Sequence, residues 1–165
     1  GGQLKVQSEP GQGTNFIFNL IMKKGSAPLE NKSEELDLSL LSGLQVLLVE
    51  DNLANQKLIS LLLKKLNCEY TISANGKEAV KVLQNNNFDI IFMDLHMPIM
   101  GGLECTNIIK KDNLSQAPII ALTADVVQSD LKIFYEAGMT GYMQKPIDRK
   151  GFEKILYNCA LNKDV

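Results

Sequence analysis

The chain has 165 residues, of which 45% are hydrophobic and 22% charged, and its formal net charge is −2. That is an ordinary composition for a soluble globular domain with an appendage. It offers no basic stripe for nucleic acid or an anionic membrane, and no apolar run approaches the roughly 20 residues that span a bilayer.

The opening Gly1-Gly2-Gln3-Leu4-Lys5 is neither a signal peptide nor a natural initiator, and reads as the edge of a fragment. Leu4–Ser8 and Thr14–Met22 alternate apolar and polar around Glu9-Pro10-Gly11-Gln12-Gly13, which predicts a β-hairpin. A lone hairpin is marginal in water, so this one reads as parted from a larger sheet. Gly11-Gln12-Gly13 is not a phosphate loop, since the lysine and helix that should follow are missing. Lys23 to Ser42 is rich in Ser, Glu and Lys and predicts a linker, with Leu36–Leu41 suited to dock as a short helix.

From Leu44 onward, strands and helices alternate. Apolar runs predict strands at Gln45–Val49, Tyr70–Ile72, Ile90–Met93, Ile119–Leu122 and Gly141–Gln144. Helical spacing predicts helices over Ala54–Leu66, Gly76–Gln84, Leu103–Lys110, Val126–Ala137 and Arg149–Ala160, with Gly138 as a C-cap. Met97 to Gly102 reads as a loop from its Pro and Gly. The pattern predicts an α/β fold with a doubly covered parallel sheet. The three cysteines, Cys68, Cys105 and Cys159, are far apart and read as small buried hydrophobes in a reducing compartment.

Four of the predicted strands run into chemically useful residues: Glu50-Asp51, Asp94, Thr123 and Lys145. In a parallel sheet these share the carboxyl edge, where open α/β sheets bind ligands. Crowded carboxylates must share protons or a cation. Mg2+ suits them, because it takes oxygen ligands and offsets charge developing on a phosphoryl group. Asp94 is the natural nucleophile, with Lys145 and Thr123 placed to contact phosphoryl oxygens. Singly, each residue has a plainer reading: Glu50-Asp51 as a helix-capping pair, Thr123 as a loop hydroxyl, Lys145 as a solvated cation. The joint pattern favours the site.

Leu48-Val49-Glu50-Asp51-Asn52, Met93-Asp94-Leu95-His96-Met97-Pro98-Ile99-Met100-Gly101-Gly102, Ala121-Leu122-Thr123-Ala124 and Gly141-Tyr142-Met143-Gln144-Lys145-Pro146 together resemble the receiver domain of two-component response regulators. Glu50-Asp51-Asn52 with Asn55-Gln56 is similar to receivers fused to hybrid histidine kinases. The resemblance implies a flavodoxin-like (βα)5 doubly wound sheet over 44–165. It implies Asp94 as phosphoacceptor, Mg2+ held by Glu50, Asp51, Asp94 and the His96 backbone carbonyl, and Thr123 and Lys145 on the phosphoryl group. It also implies Tyr142 as an aromatic switch, a Lys145-Pro146 bond that is often cis, and side chains at His96 and Asp125 that tune dephosphorylation. Gly101 departs from the family, which often has Asp there.

Residues 1–24 resemble the closing strands of a histidine-kinase ATP-binding domain, with 25–43 as the linker. The nucleotide-contacting boxes of that domain are not in this sequence, so the fragment is not expected to phosphorylate from ATP. The implied parent is a hybrid sensor kinase in which this cytoplasmic portion can belong to a membrane-anchored chain. The implied donor is the parent's own phosphohistidine domain, and the implied recipient is a histidine phosphotransfer protein. The rivals are an unphosphorylated flavodoxin-like docking or ligand-binding module and an aspartyl-phosphate phosphatase. Leu95-His96 after Asp94 speaks against the phosphatase, which wants an acid there. Two further roles are weaker: His96 as a nucleophile with Cys105, and Tyr142 as plain core packing.

Overall fold

The computed structural model describes residues 3–19, 36–124 and 128–161. The chain divides into two compact units, Gly1–Glu34 and Glu35–Val165. In the first, β1 (Gln3–Glu9) pairs antiparallel with β2 (Gly13–Asn19) in the register Val6↔Phe16. Gly11 and Gly13 take positive φ at the turn, where a Cβ would be strained. The hairpin matches the predicted alternation; Leu20 to Met22, the predicted end of its second strand, lies outside the described residues.

The second unit begins with a 3-10 turn, η1 (Leu38–Leu41), inside the segment where the sequence suggests a short docked helix. β3 (Gln45–Val49), β4 (Glu69–Ser73), β5 (Ile90–Asp94), β6 (Ile119–Thr123) and β7 (Gly141–Gln144) follow, forming one parallel sheet in the order β4-β3-β5-β6-β7. Between them run α1 (Leu53–Lys65), α2 (Gly76–Leu83), α3 (Gly102–Lys111), α4 (Gln128–Ala137) and α5 (Arg149–Ala160). This is the flavodoxin-like doubly wound fold. The predicted start of the α4 helix at Val126 lies outside the described residues.

Central and edge strands differ as burial demands. β5 and β6 are buried at every position, so both their faces must be apolar. β4 and β7 lie at the sheet edges and are only partly buried. One core layer joins Val46, Leu48 and Phe92 to Ile59 and Leu63 of α1 and Phe152 of α5. The other joins Leu47, Ile91 and Met93 to Ala79 of α2, Cys105 of α3 and Phe134 of α4. Each strand thus serves both layers by its alternation of side chains.

Helix starts are fixed by side chains on the site edge. Asn52 Oδ1 accepts from the Ala54 and Asn55 amides (2.9 and 3.2 Å) and starts α1. Asn75 and Glu78 cap α2 reciprocally, the Glu78 amide donating to Asn75 Oδ1 (3.0 Å) and Glu78 Oε2 accepting from the Ala74 amide (2.9 Å). Gly101 is the N-cap of α3 and supplies no side-chain bond.

Gly102 shows how tightly α3 is pressed against the end of β5. A Cβ there would overlap the Asp94 carbonyl oxygen and lie 2.9 Å from Met93 Cγ. Neither the backbone nor the buried Met93 can yield freely. Gly102→Ala is therefore expected to lower the unfolding free energy by about 2–3 kcal/mol. A urea titration measures this; an unchanged midpoint would contradict the close approach.

Candidate functional site

The sheet order reverses at β3: its sequence successor β4 lies on one side and β5 on the other. A crevice opens beyond the carboxyl ends at such a switch point. Register sets what reaches it. Val49 pairs with Met93, so Glu50 and Asp94 emerge side by side. Asp94 pairs with Leu122 and Thr123 with Gln144, which steps Thr123 and then Lys145 along the same rim. The Lys145 amide donates to the Thr123 carbonyl at 2.7 Å and fixes the last step. The Lys145-Pro146 peptide is cis.

The side chains converge. Lys145 Nζ donates to Glu50 Oε2 and to Asp94 Oδ2, both at 2.7 Å. Glu50 is fully buried and Asp94 nearly so, while the lysine side chain keeps 21% of its exposure. The second oxygen of each carboxylate is also held. Glu50 Oε1 accepts from Asn55 Nδ2 (2.9 Å) and weakly from the Asn52 amide (3.3 Å). Asp94 Oδ1 accepts from the His96 amide (3.2 Å). Gln56 Nε2 donates to the Glu50 carbonyl at 2.7 Å, locking the strand end to the first turn of α1. Burial alone would lower the pKa of the Lys145 ammonium. The hydrogen bonds to Asp94 and Glu50, with their charges, more than reverse this and hold it above the usual lysine range.

Asp51 is exposed, and no described hydrogen bond or ion pair uses its carboxylate. One oxygen each from Glu50, Asp51 and Asp94 lie within 4.8 Å of one another. Three carboxylates and one ammonium leave a local formal charge of −2, which one divalent cation would balance. The donors are all carboxylate oxygens, so the set fits a hard cation of the Mg2+ kind.

Thr123 is buried beside this group at the end of β6. With Leu95, Leu103, Ile133 and Phe134 it lines a cavity of about 400 Å³. Tyr142, on edge strand β7, is 38% exposed, so it is not the core residue that its plainer reading would make it. The His96 side chain is exposed, lines the same cavity as Thr123, and has no ring nitrogen in the carboxylate cluster. Asp125 lies outside the described residues. Cys105 sits in the core with its thiol on the Gly76 carbonyl at 3.4 Å. Burial, reinforced by Glu104, pushes that thiol up to about 12, which removes it as a nucleophile for His96. Sequence reading misses the anchoring roles of Asn55 and Gln56. Their signal is spacing, five and six residues after Glu50 on the first turn of the following helix, facing back to the strand end.

The loop between β5 and α3 stores strain. Ile99 has φ +71°, a left-handed conformation that a β-branched residue rarely takes. It is held there by bonds on either side, the Met100 amide to the Pro98 carbonyl (2.8 Å) and the Gly76 amide to the Met100 carbonyl (3.0 Å). The Ile99 side chain is 77% exposed and contributes little packing. Ile99→Asn is therefore expected to stabilise the fold by about 1 kcal/mol, read as a higher urea midpoint.

The sequence profile of the response regulator receiver domain matches residues 46–157. Hybrid signal transduction histidine kinase M of Dictyostelium discoideum is 38% identical over 125 residues, covering 72% of this chain and 5% of that protein. Autoinducer 2 sensor kinase/phosphatase LuxQ of Vibrio parahaemolyticus is 35% identical over 150 residues, 88% of this chain and 18% of that protein. The chain therefore spans less than a fifth of the length of these two relatives. Among solved structures, the receiver domain of sensor histidine kinase PA1611 from Pseudomonas aeruginosa, with magnesium coordinated in its active-site cleft, superposes with a TM-score of 0.66 at 37% identity. It covers 72% of this chain and 98% of that one. A chain of the Saccharomyces cerevisiae complex between the histidine phosphotransfer protein Ypd1 and the receiver domain of Ssk1 gives a TM-score of 0.70 at 29% identity. It covers 76% of this chain and 94% of that one.

Proposed function

The chain belongs to the response regulator receiver family, a module of two-component phosphorelays, and on that premise we propose that Asp94 accepts a phosphoryl group from a phosphohistidine. The observation that carries this is the Lys145 ammonium, 2.7 Å from both Glu50 and Asp94 at the sheet's switch point. In the reaction an Asp94 oxygen attacks phosphorus. The phosphorus–nitrogen bond to the donor breaks as the phosphorus–oxygen bond forms; the donor ring, already protonated on its other nitrogen, keeps the bonding pair and leaves as neutral imidazole. Transfer of this kind depends mainly on positioning and charge.

Glu50, Asp51, Asp94 and the His96 backbone carbonyl would hold Mg2+, as the magnesium-bound PA1611 receiver supports. The bound ion supplies positive charge to the phosphoryl oxygens. Lys145 pairs with one of those oxygens and the Thr123 hydroxyl donates to another. Asn55 and Gln56 hold Glu50 in place while this happens. Tyr142 is the switch residue, turning inward when Thr123 is drawn to the phosphoryl group. The cavity beside Thr123 gives an aromatic ring room to do so.

The parent is a hybrid sensor kinase, with 1–24 the tail of its ATP-binding domain, 25–43 a linker and 44–165 the receiver. The LuxQ likeness runs over 150 residues, more than the receiver alone occupies, and supports this. So does the exposed apolar face of Leu4, Val6, Phe16 and Phe18 on the hairpin, which suits a strand pair built to lie against other elements. The donor is the phosphohistidine domain of the same parent. The recipient is a histidine phosphotransfer protein, a pairing seen for the Ssk1 receiver. We place the site on the cytoplasmic side, with the phosphohistidine donor of the same parent. None of the described helices is long and apolar enough to cross a membrane. Acetyl phosphate with Mg2+ is expected to add one phosphoryl group by intact mass, and EDTA to prevent it. An unchanged mass would leave the domain a phosphorylation-independent docking module.

A further inference from the structure

The receiver profile begins at residue 46, yet the folded unit begins earlier. Leu41 of η1 is fully buried, among the largest fully buried side chains of the chain. It shares its core cluster with Phe152 and Leu156 of α5, and η1 packs on α5. The turn is built with care for so short an element. Asp37 Oδ1 accepts from the Ser39 amide (3.1 Å) and hydroxyl (2.6 Å). The Gly43 amide donates to the Asn67 carbonyl at 2.8 Å, and Cys68 Sγ donates to the Leu41 carbonyl at 3.3 Å. The chain that enters the receiver is thereby fastened just before β3.

α5 is also tied to the carboxylate site, by two routes. Its first residue, Arg149, follows Lys145 by four positions, and Lys145 grips Asp94. Its Phe152 ring stacks on Phe92, with centroids 4.9 Å apart, and Phe92 precedes Asp94 by two positions on β5. On the reading proposed above, Lys145 also pairs with a phosphoryl oxygen, so occupation of Asp94 changes the partners of an ammonium that lies four positions before α5.

We propose that η1 is a latch that couples the carboxylate site to the chain entering the receiver: occupation of Asp94 changes, through α5, how firmly Leu41 and its turn are held. This rests on the receiver reading above. It adds a route by which the receiver's state reaches the sequence on its N-terminal side, and by linkage that route runs both ways.

Hydrogen–deuterium exchange on the full chain tests it, with and without beryllofluoride plus Mg2+ as phosphoryl mimic. Exchange in peptides covering 36–44 is expected to change by about fivefold when the mimic is added, and not to change in Asp94→Asn. Leu41→Ala is expected to shift the half-saturating beryllofluoride concentration by about fivefold. Asp37→Ala, which loosens the turn without opening the core, shifts it in the same direction. Altered exchange around Thr123 and Tyr142 with none at 36–44, and an unshifted Asp37→Ala, would make η1 passive packing while the receiver reading survives. No change anywhere would overturn both.

Discussion

Asp94→Asn is expected to abolish phosphoryl uptake from acetyl phosphate, to background by intact mass, while the protein stays folded. Asn keeps the size of the side chain and one oxygen that can accept from either Lys145 Nζ or the His96 amide, so one of the two hydrogen bonds at this position is kept. It lacks the second anionic oxygen that attacks phosphorus. The neighbours cannot take over. Glu50 is fully buried with both oxygens committed, to Lys145 and to Asn55 with Asn52. Asp51 is exposed and stands away from the lysine that would steady a phosphoryl group. Asp51→Asn should instead keep the acceptor and weaken Mg2+ binding, reading out as slower labelling that more metal restores. Labelling that persists undiminished in Asp94→Asn would place the acceptor elsewhere.

Much of this arrangement is legible in the residues themselves. The strands can be read because β5 and β6 are buried on both faces and so must be apolar at nearly every position. The site can be read because each polar residue sits where an apolar run stops, and a parallel sheet brings those stops to one edge. Helix ends are legible where a cap announces them, as Asn52 does for α1. What cannot be read is anything set by approach across the fold. Gly102 looks like a loop glycine, and only the packing of α3 on the Asp94 carbonyl shows why a side chain has no room there. Ile99 carries no local mark of a left-handed backbone, since nothing in an isoleucine favours it. Leu36–Leu41 can be read as a segment able to dock, but its sequence does not show that Leu41 in particular enters the core beside Phe152 and Leu156. Nor does the sequence show that one ammonium bridges two carboxylates at equal distance.

That bridge underlies the second large effect. Lys145→Ala is expected to destabilise the metal-free protein by about 3–5 kcal/mol, the usual cost of leaving buried charge without its partner. Glu50 is wholly buried and the Asp94 side chain is 8% exposed, so water does little to replace the lysine. The lysine pKa is raised in the fold. Its contribution is therefore fully present below the unfolded value of about 10.4 and is lost only as pH climbs through the folded value. The gap between wild type and variant should stay constant from neutral pH to mild alkali. Mg2+ should rescue the variant more than the wild type, since the ion then balances three carboxylates that no ammonium shares. Urea titrations in EDTA and in Mg2+ separate these terms. If Lys145→Ala were as stable as wild type in EDTA, the ammonium would be a bystander, and the charge balance that makes this pocket fit for a cation and a phosphoryl group would have to come from elsewhere.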